Sequence, residues 1–225
     1  MKPAKTILFD LDGTLIDHFE TFYKTYQYAC STLGPDKEIS MAGFDQVKAA
    51  IGGSVPQTLR TLVGDLATPE LCKCFEDYYK KNLLIGLSIL EGAQELLNKL
   101  HTLGHQLAVF TNKQEVFAKP ICKHLGLDTY LSEIIGTTPT SPRKPELAFT
   151  EQGLQRLCAQ PETTILIGDS PFDLKSAQVC SIPAYLVATG THSFDELENH
   201  EPKAHGVYKN MSELAKDVFQ INLSN

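Results

Sequence analysis

Lys5-Thr6-Ile7-Leu8-Phe9 runs directly into Asp10-Leu11-Asp12-Gly13-Thr14. Four residues from Thr6 to Phe9 are too few for a helix and too apolar for a surface loop. The acidic, glycine-containing turn after them is typical of a buried parallel strand that ends at a site. Beyond this turn, residues from His18 to about Leu84 change character to aromatic-rich stretches at helical spacing: Phe19 to Leu33, Phe44 to Ile51, Val55 to Leu66 and Pro69 to Leu83. No convincing strand interrupts them.

After Gly86 the pattern becomes regular alternation. Helices are expected at Ala93 to Leu103, Glu115 to Leu125 and Glu146 to Cys158, with strands at Gln106 to Phe110, Glu133 to Gly136 and Thr164 to Ile167. Strands alternating with helices imply right-handed crossovers and a parallel sheet covered on both faces, which the first strand must join. The fold expected is therefore α/β: a doubly wound, Rossmann-like parallel sheet core with an inserted all-helical cap domain. Residues 1–17 and 86–225 form the core and residues 18–85 the cap. Toward the C-terminus a strand is expected at Ala184 to Val187, a polar surface loop from Thr189 to His205, and a short helix at Met211 to Phe219.

Charge and composition narrow the function. Lys and Arg total 20 against 27 for Asp and Glu, a formal net charge of −7. That balance argues against nucleic acid or an anionic membrane as partner. The first apolar stretch is far too short for a signal segment and no other run approaches a membrane span. Six cysteines without a CxxC pair suit reduced thiols in a cytoplasmic protein.

Ligands of open parallel sheets sit beyond the carboxyl ends of the strands, so the residues after each strand carry the argument. Asp10 to Thr14 come after the first strand, and Thr111-Asn112-Lys113 after the second. Gly168-Asp169-Ser170, with Asp173 shortly beyond, come after the strand at Thr164 to Ile167. Lys144 precedes a helix after a loop of Thr, Ser and Pro.

These residues resemble the haloacid dehalogenase superfamily through DLDGTLID at Asp10 to Asp17, FTNK at Phe110 to Lys113, RKP at Arg143 to Pro145 and GDSPFD at Gly168 to Asp173, in that order. The helices between the first and second motifs resemble the superfamily's first cap type. Within it, LEGAQELLNKLHTLGHQLAVFTNK at Leu90 to Lys113 is similar to the phosphoglycolate phosphatase-like enzymes. The resemblance implies a phosphatase acting on a small phosphate monoester, with Asp10 as the nucleophile that becomes an aspartyl-phosphate. Asp12 is implied as the acid that protonates the leaving alkoxide and then as the base toward water. A Mg²⁺ ion is implied on the Asp10 carboxylate, the Asp12 carbonyl and the Asp169 carboxylate, with Asp173 supporting it from behind. Thr111, through its hydroxyl, Asn112, through its backbone N–H, and Lys144 are implied to bind the phosphate.

Two positions leave alternatives open. His18 stands where such proteins usually show Ser or Thr, and either contacts substrate or packs against or caps the first cap helix. Arg60, one turn beyond the stretch Ile51-Gly52-Gly53-Ser54-Val55-Pro56 that resembles a specificity loop, either clamps a substrate anion or is an exposed helix arginine. The same motifs also suit a phosphosugar mutase similar to β-phosphoglucomutase, and a catalytically silent binding module shares the fold. The chain is expected to act as a monomer or homodimer.

Overall fold

The computed structural model describes residues 5–33 and 40–224. It divides into two compact units, Met1–Asp17 with Ser88–Asn225, and His18–Leu87.

The first unit is built on β1 (Thr6–Phe9), β4 (Gln106–Gln114), β5 (Glu133–Thr137), β6 (Thr164–Gly168), β7 (Ala184–Val187) and β8 (Gly206–Tyr208). They form one sheet in the order β5-β4-β1-β6-β7-β8. Every neighbouring pair is parallel. Ile7, Leu8, Phe9, Leu107 to Phe110, Leu166 and Ile167 are fully buried, as a sheet covered on both faces requires. Leu8, Ala108, Phe110 and Leu166 share a cluster with Phe149 and Leu174. Alternation then sends Ile7, Phe9, Val109 and Ile167 to the opposite face.

Helices α5 (Ala93–Thr102), α6 (Glu115–His124), α7 (Leu147–Arg156), α8 (Pro171–Gln178), α9 (Phe194–Glu198) and α10 (Met211–Leu214) belong to the same unit. α5 and α6 pack on β4, and α8 packs on β6 and β7. The doubly wound arrangement expected from the alternation is the one observed. Because β1 has β4 on one side and β6 on the other, successive connections leave it in opposite directions, and a crevice opens at that switch point.

Register fixes which residues meet there. Phe9 pairs with Val109 and with Ile167. Asp10 therefore stands level with Phe110 and Gly168, and its N–H donates to the Ile167 carbonyl at 2.9 Å. Thr111 and Asp169 are each one residue further along.

The second unit holds α1 (Phe19–Ser31), α2 (Phe44–Ala50), α3 (Val55–Val63) and α4 (Pro69–Lys81). Ser54 and Gln57 cap the start of α3 reciprocally, and the Thr68 hydroxyl accepts from Leu71 N–H ahead of Pro69 at the start of α4. α1 packs on α4, with Phe22 and Phe75 rings 4.7 Å apart.

Several boundaries differ from the sequence reading. β4 continues to Gln114 rather than ending at Phe110, because Gln114 pairs with Thr137 of β5 beyond an irregularity. The stretch Thr189 to His205 is not a uniform surface loop. It contains α9, begun by Ser193 and Glu196, and its first residues are tied inward by the side chains of Thr189 and Thr191. β8 is an added edge strand, and α10 passes into a π-helical turn at Ala215–Phe219. Two short strands, β2 (Ile16–Asp17) and β3 (Ser88–Ile89), pair antiparallel where the chain leaves and re-enters the first unit. Two-residue strands carry no periodicity, so no pattern announced them.

Candidate active site

The site grows from the turn after β1. Gly13 adopts φ +83°, and its N–H donates to the Ile16 carbonyl at 2.8 Å, so the chain doubles back immediately after the Asp10 and Asp12 side chains. A Cβ on Gly13 would lie 2.7 Å from Asp169 Oδ2. Only glycine combines that left-handed backbone with so close an approach.

Lys144 is the hub. Its ammonium donates to Asp10 Oδ1 and to Asp173 Oδ1, both at 2.6 Å, with its side chain 2% exposed. Its backbone is clamped by Asn112, whose Oδ1 accepts from Lys144 N–H at 2.7 Å and whose Nδ2 donates to the Lys144 carbonyl at 3.2 Å. Thr137 in turn donates to the Asn112 carbonyl at 2.9 Å. Asn112 thus spends its side chain on placing the lysine.

Asp173 has both oxygens engaged. Oδ1 takes Lys144, and Oδ2 accepts from Ser170 N–H at 3.1 Å and Ser170 Oγ–H at 2.6 Å. Ser170 and Asp173 open α8, where an acidic side chain also suits the helix dipole. Asp169 Oδ2 accepts from Thr191 N–H at 2.8 Å and from Thr191 Oγ–H at 3.0 Å. Asp12 points elsewhere: its Oδ2 lies 3.0 Å from Lys113 Nζ, and the two side chains are 18% and 10% exposed.

The electrostatics are set by burial. Asp10 is pushed up to about 6, chiefly by loss of water, with Lys144 opposing and Asp173 and Asp12 adding to the rise. Asp169 is pushed well above the ordinary carboxylate range by burial and by the charges of Asp173 and Asp10. Burial disfavours the Lys144 ammonium, yet Asp10 and Asp173 together hold it protonated above its ordinary value. Three acids around one lysine leave excess negative charge, which a cation would relieve.

The donor set fits a hard divalent ion. One oxygen from each of Asp10, Asp169 and Asp173 lies within 4.8 Å of the others, the sole such cluster found among the described residues. Carboxylate oxygens of this kind suit magnesium. With Asp173 already saturated by Lys144 and Ser170, Asp10 and Asp169 are the members with oxygens to offer.

Asp10, Asp12, Thr111, Asn112, Lys144, Asp169 and Asp173 therefore gather at one end of the sheet. Thr111 is buried there and its Oγ1 accepts from Lys113 N–H at 3.2 Å. His18, Gly52, Gly53 and Arg60 belong to the other unit. His18 is buried, and its Nδ1 lies 2.9 Å from the Tyr79 hydroxyl, whereas Arg60 is exposed on α3. Sequence reasoning assigned no role to Lys113 or Thr191. The rule that ligands sit beyond strand ends would have found Thr191 had it been applied to β7, whose end runs into Ala188-Thr189-Gly190-Thr191.

The chain is similar to known proteins in sequence and in fold. A family model described as haloacid dehalogenase-like hydrolase matches residues 7–187. The chain is 25% identical over 217 residues to a phosphoglycolate phosphatase of Colwellia psychrerythraea, covering 90% of this chain and 92% of that one. It is 30% identical over 198 residues to a 5′-nucleotidase of Pseudomonas aeruginosa, covering 87% and 88%. A haloacid dehalogenase-like family hydrolase from Streptococcus pneumoniae shares the fold with a TM-score of 0.81 at 23% identity, covering 95% and 98%.

Proposed function

The chain belongs to the haloacid dehalogenase-like hydrolase family, and from that premise we propose that it is a magnesium-dependent phosphatase of small phosphate monoesters. The observation that carries the reading is the buried Lys144 held between Asp10 and Asp173 beside Asp169. One cation among several carboxylates at a strand-end crevice suits a dianionic ligand that arrives with its own metal.

In this reading the Asp10 oxygen not bonded to Lys144 attacks phosphorus, forming the aspartyl-phosphate bond as the ester oxygen leaves. Asp12 delivers a proton to that oxygen, releasing a neutral alcohol, and its carboxylate next takes a proton from the water that attacks the phospho-aspartate. Inorganic phosphate departs and Asp10 is restored. Lys144, the Thr111 hydroxyl and the Asn112 N–H hold the phosphoryl oxygens. Asp10, the Asp12 carbonyl and Asp169 would hold Mg²⁺, which when bound supplies positive charge against carboxylate–phosphate repulsion.

Substrate choice is assigned to the helical unit through His18, Gly52, Gly53 and Arg60. A cytoplasmic setting accords with six free cysteines, and a monomer or homodimer is part of the same proposal. Among the described residues no helix is long and apolar enough to cross a membrane. The names of the relatives make phosphoglycolate and nucleoside 5′-monophosphates the first compounds to test. The purified protein should release inorganic phosphate from one of them with Mg²⁺ and not with EDTA, and Asp10→Asn should abolish release. Turnover unchanged in that variant rejects the nucleophile, and an isomerised sugar phosphate without net release identifies a mutase instead.

A further inference from the structure

The turn Ala188-Thr189-Gly190-Thr191-His192 leaves the end of β7, the strand next to β6, and reaches the acidic cluster at Asp169. Two of its residues reach the acidic site. Thr189 Oγ–H donates to the Gly13 carbonyl at 2.6 Å, while Thr191 donates twice to Asp169 Oδ2, through N–H at 2.8 Å and Oγ–H at 3.0 Å. His192 Nδ1 stands 2.9 Å from the Thr191 hydroxyl. A His192 ring carrying its proton on Nδ1 would donate to that oxygen while the hydroxyl proton is directed at Asp169.

Gly190 lies between the two threonines with its backbone against the carboxylate. A Cβ there would fall on Asp169 Oδ2 and Cγ, and a Cβ on Gly13 would lie 2.7 Å from both Asp169 Oδ2 and Gly190 Cα. Asp169 is therefore walled by two glycine backbones and bonded by one threonine. The Ala188 N–H donates to the Tyr208 carbonyl at 2.8 Å, anchoring the turn to β8.

We infer that Thr191 is the positioning residue for magnesium: by saturating Asp169 Oδ2 with two donors it locks the carboxylate's rotamer and presents Oδ1 to the ion. The inference rests on the magnesium-dependent reading and deepens it. Two hydrogen bonds to one oxygen of a buried carboxylate restrain both its torsion and its charge distribution, and groups that orient a metal's ligands in this way typically govern affinity by about 10–100-fold. Gly190 is part of the same device, because only a residue without a side chain lets the Thr191 N–H reach the carboxylate across that wall. Neither residue touches the phosphoryl group in this scheme, so their effect on turnover passes through the ion.

The test is calorimetric titration of Mg²⁺ into the full-length, substrate-free protein. Thr191→Val keeps the backbone donor and loses the hydroxyl. It should bind Mg²⁺ about tenfold more weakly, require correspondingly more Mg²⁺ for half-maximal phosphatase activity, and keep its substrate KM once Mg²⁺ saturates. Thr191→Ser restores the hydroxyl and should recover wild-type affinity. Gly190→Ala should lose Mg²⁺ binding more completely than Thr191→Val. The unfolding temperature of each variant in EDTA verifies that the comparison is between folded proteins, and Thr191→Ser against wild type decides the matter should Thr191→Val fail to fold. Wild-type Mg²⁺ affinity in Thr191→Val, or no recovery in Thr191→Ser, overturns this inference alone. A wild-type protein that binds no Mg²⁺ overturns the underlying reading as well.

Discussion

The ammonium of Lys144 lies 2.6 Å from Asp10 Oδ1 although 134 residues separate the two in the chain. The contact is buried and is shared with Asp173. Such pairs add little net stability over an apolar core, but removing one partner strands the others without compensation. The Phe110 ring, 5.6 Å from the ammonium and stacked on Phe149 at 4.6 Å, further excludes water from the pair.

Replacing Lys144 by Met should therefore destabilise the protein by about 3–5 kcal/mol near neutral pH and eliminate phosphatase activity. The loss should shrink at pH 5, where Asp10, already pushed up to about 6 by burial, takes a proton and no longer needs the ammonium. Urea unfolding at the two pH values measures it. An equal loss at both would mean that charge compensation is not what Lys144 contributes.

A second expectation concerns pH in the absence of metal. Asp10 is raised from its ordinary 3.8 to about 6, so the folded state holds this proton more tightly than the unfolded chain. The stability linked to it is complete below about pH 3.8 and is lost as pH rises through about 6. Asp169 is raised in the same direction. In EDTA, Asp10→Asn, whose amide cannot ionise, should gain on wild type by on the order of 1–3 kcal/mol between pH 5 and pH 7.5. Mg²⁺, which competes with protons for the same carboxylates, should raise the wild-type melting temperature most above pH 6. Melting curves across this range with and without Mg²⁺ test both statements. A gain for Asp10→Asn that is the same at both ends contradicts the linkage.

Asp12, whose carboxylate sits beside Lys113 at 3.0 Å, is assigned the proton transfer. Asp12→Asn should lower kcat by about 10²–10⁴-fold with an alkyl phosphate. The loss should be much smaller with nitrophenyl phosphate, because a nitrophenolate leaves without needing a proton. Steady-state rates on the two substrates separate the cases, and equal losses would remove Asp12 as the acid.

Gly13 offers a comparison of backbone strain with crowding. Gly13 and Gly104 have nearly the same left-handed φ, +83° and +82°, but a Cβ at Gly104 meets nothing within 4 Å while one at Gly13 meets Asp169 Oδ2 at 2.7 Å. Alanine at Gly104 should cost about 1 kcal/mol from conformation alone and leave activity intact. Alanine at Gly13 should cost more and abolish Mg²⁺ binding. Matching behaviour of the two variants in calorimetry and assay would show that the close approach to Asp169 is unimportant.

The legible part of this protein is the part encoded locally. A four-residue apolar strand, an acidic turn and the later alternation of helical and strand periods suffice to specify a doubly wound sheet. The order of that sheet places Asp10 and Asp169 on adjacent strands and Thr111 on the other side. Helix starts agree with the sequence where a cap announces them, as at Ser54 and Thr68. Agreement is poorer where it depends on a neighbour: β4 runs on to Gln114 only because β5 is there to pair with it, and β8 exists only as an edge added to β7.

The chain's linear order thus determined the main elements and which residue types stand at the strand ends, since periodicity and turn chemistry act over a few residues. Tertiary structure alone decided which side chain each acid meets. Lys144 with Asp10 and Asp173, Lys113 with Asp12, and Thr191 with Asp169 are partnerships between distant segments. Charge and hydrogen-bonding capacity are properties of single residues, but the 2.6 to 3.0 Å separations that turn them into a site arise only when strand register and helix packing bring those segments together.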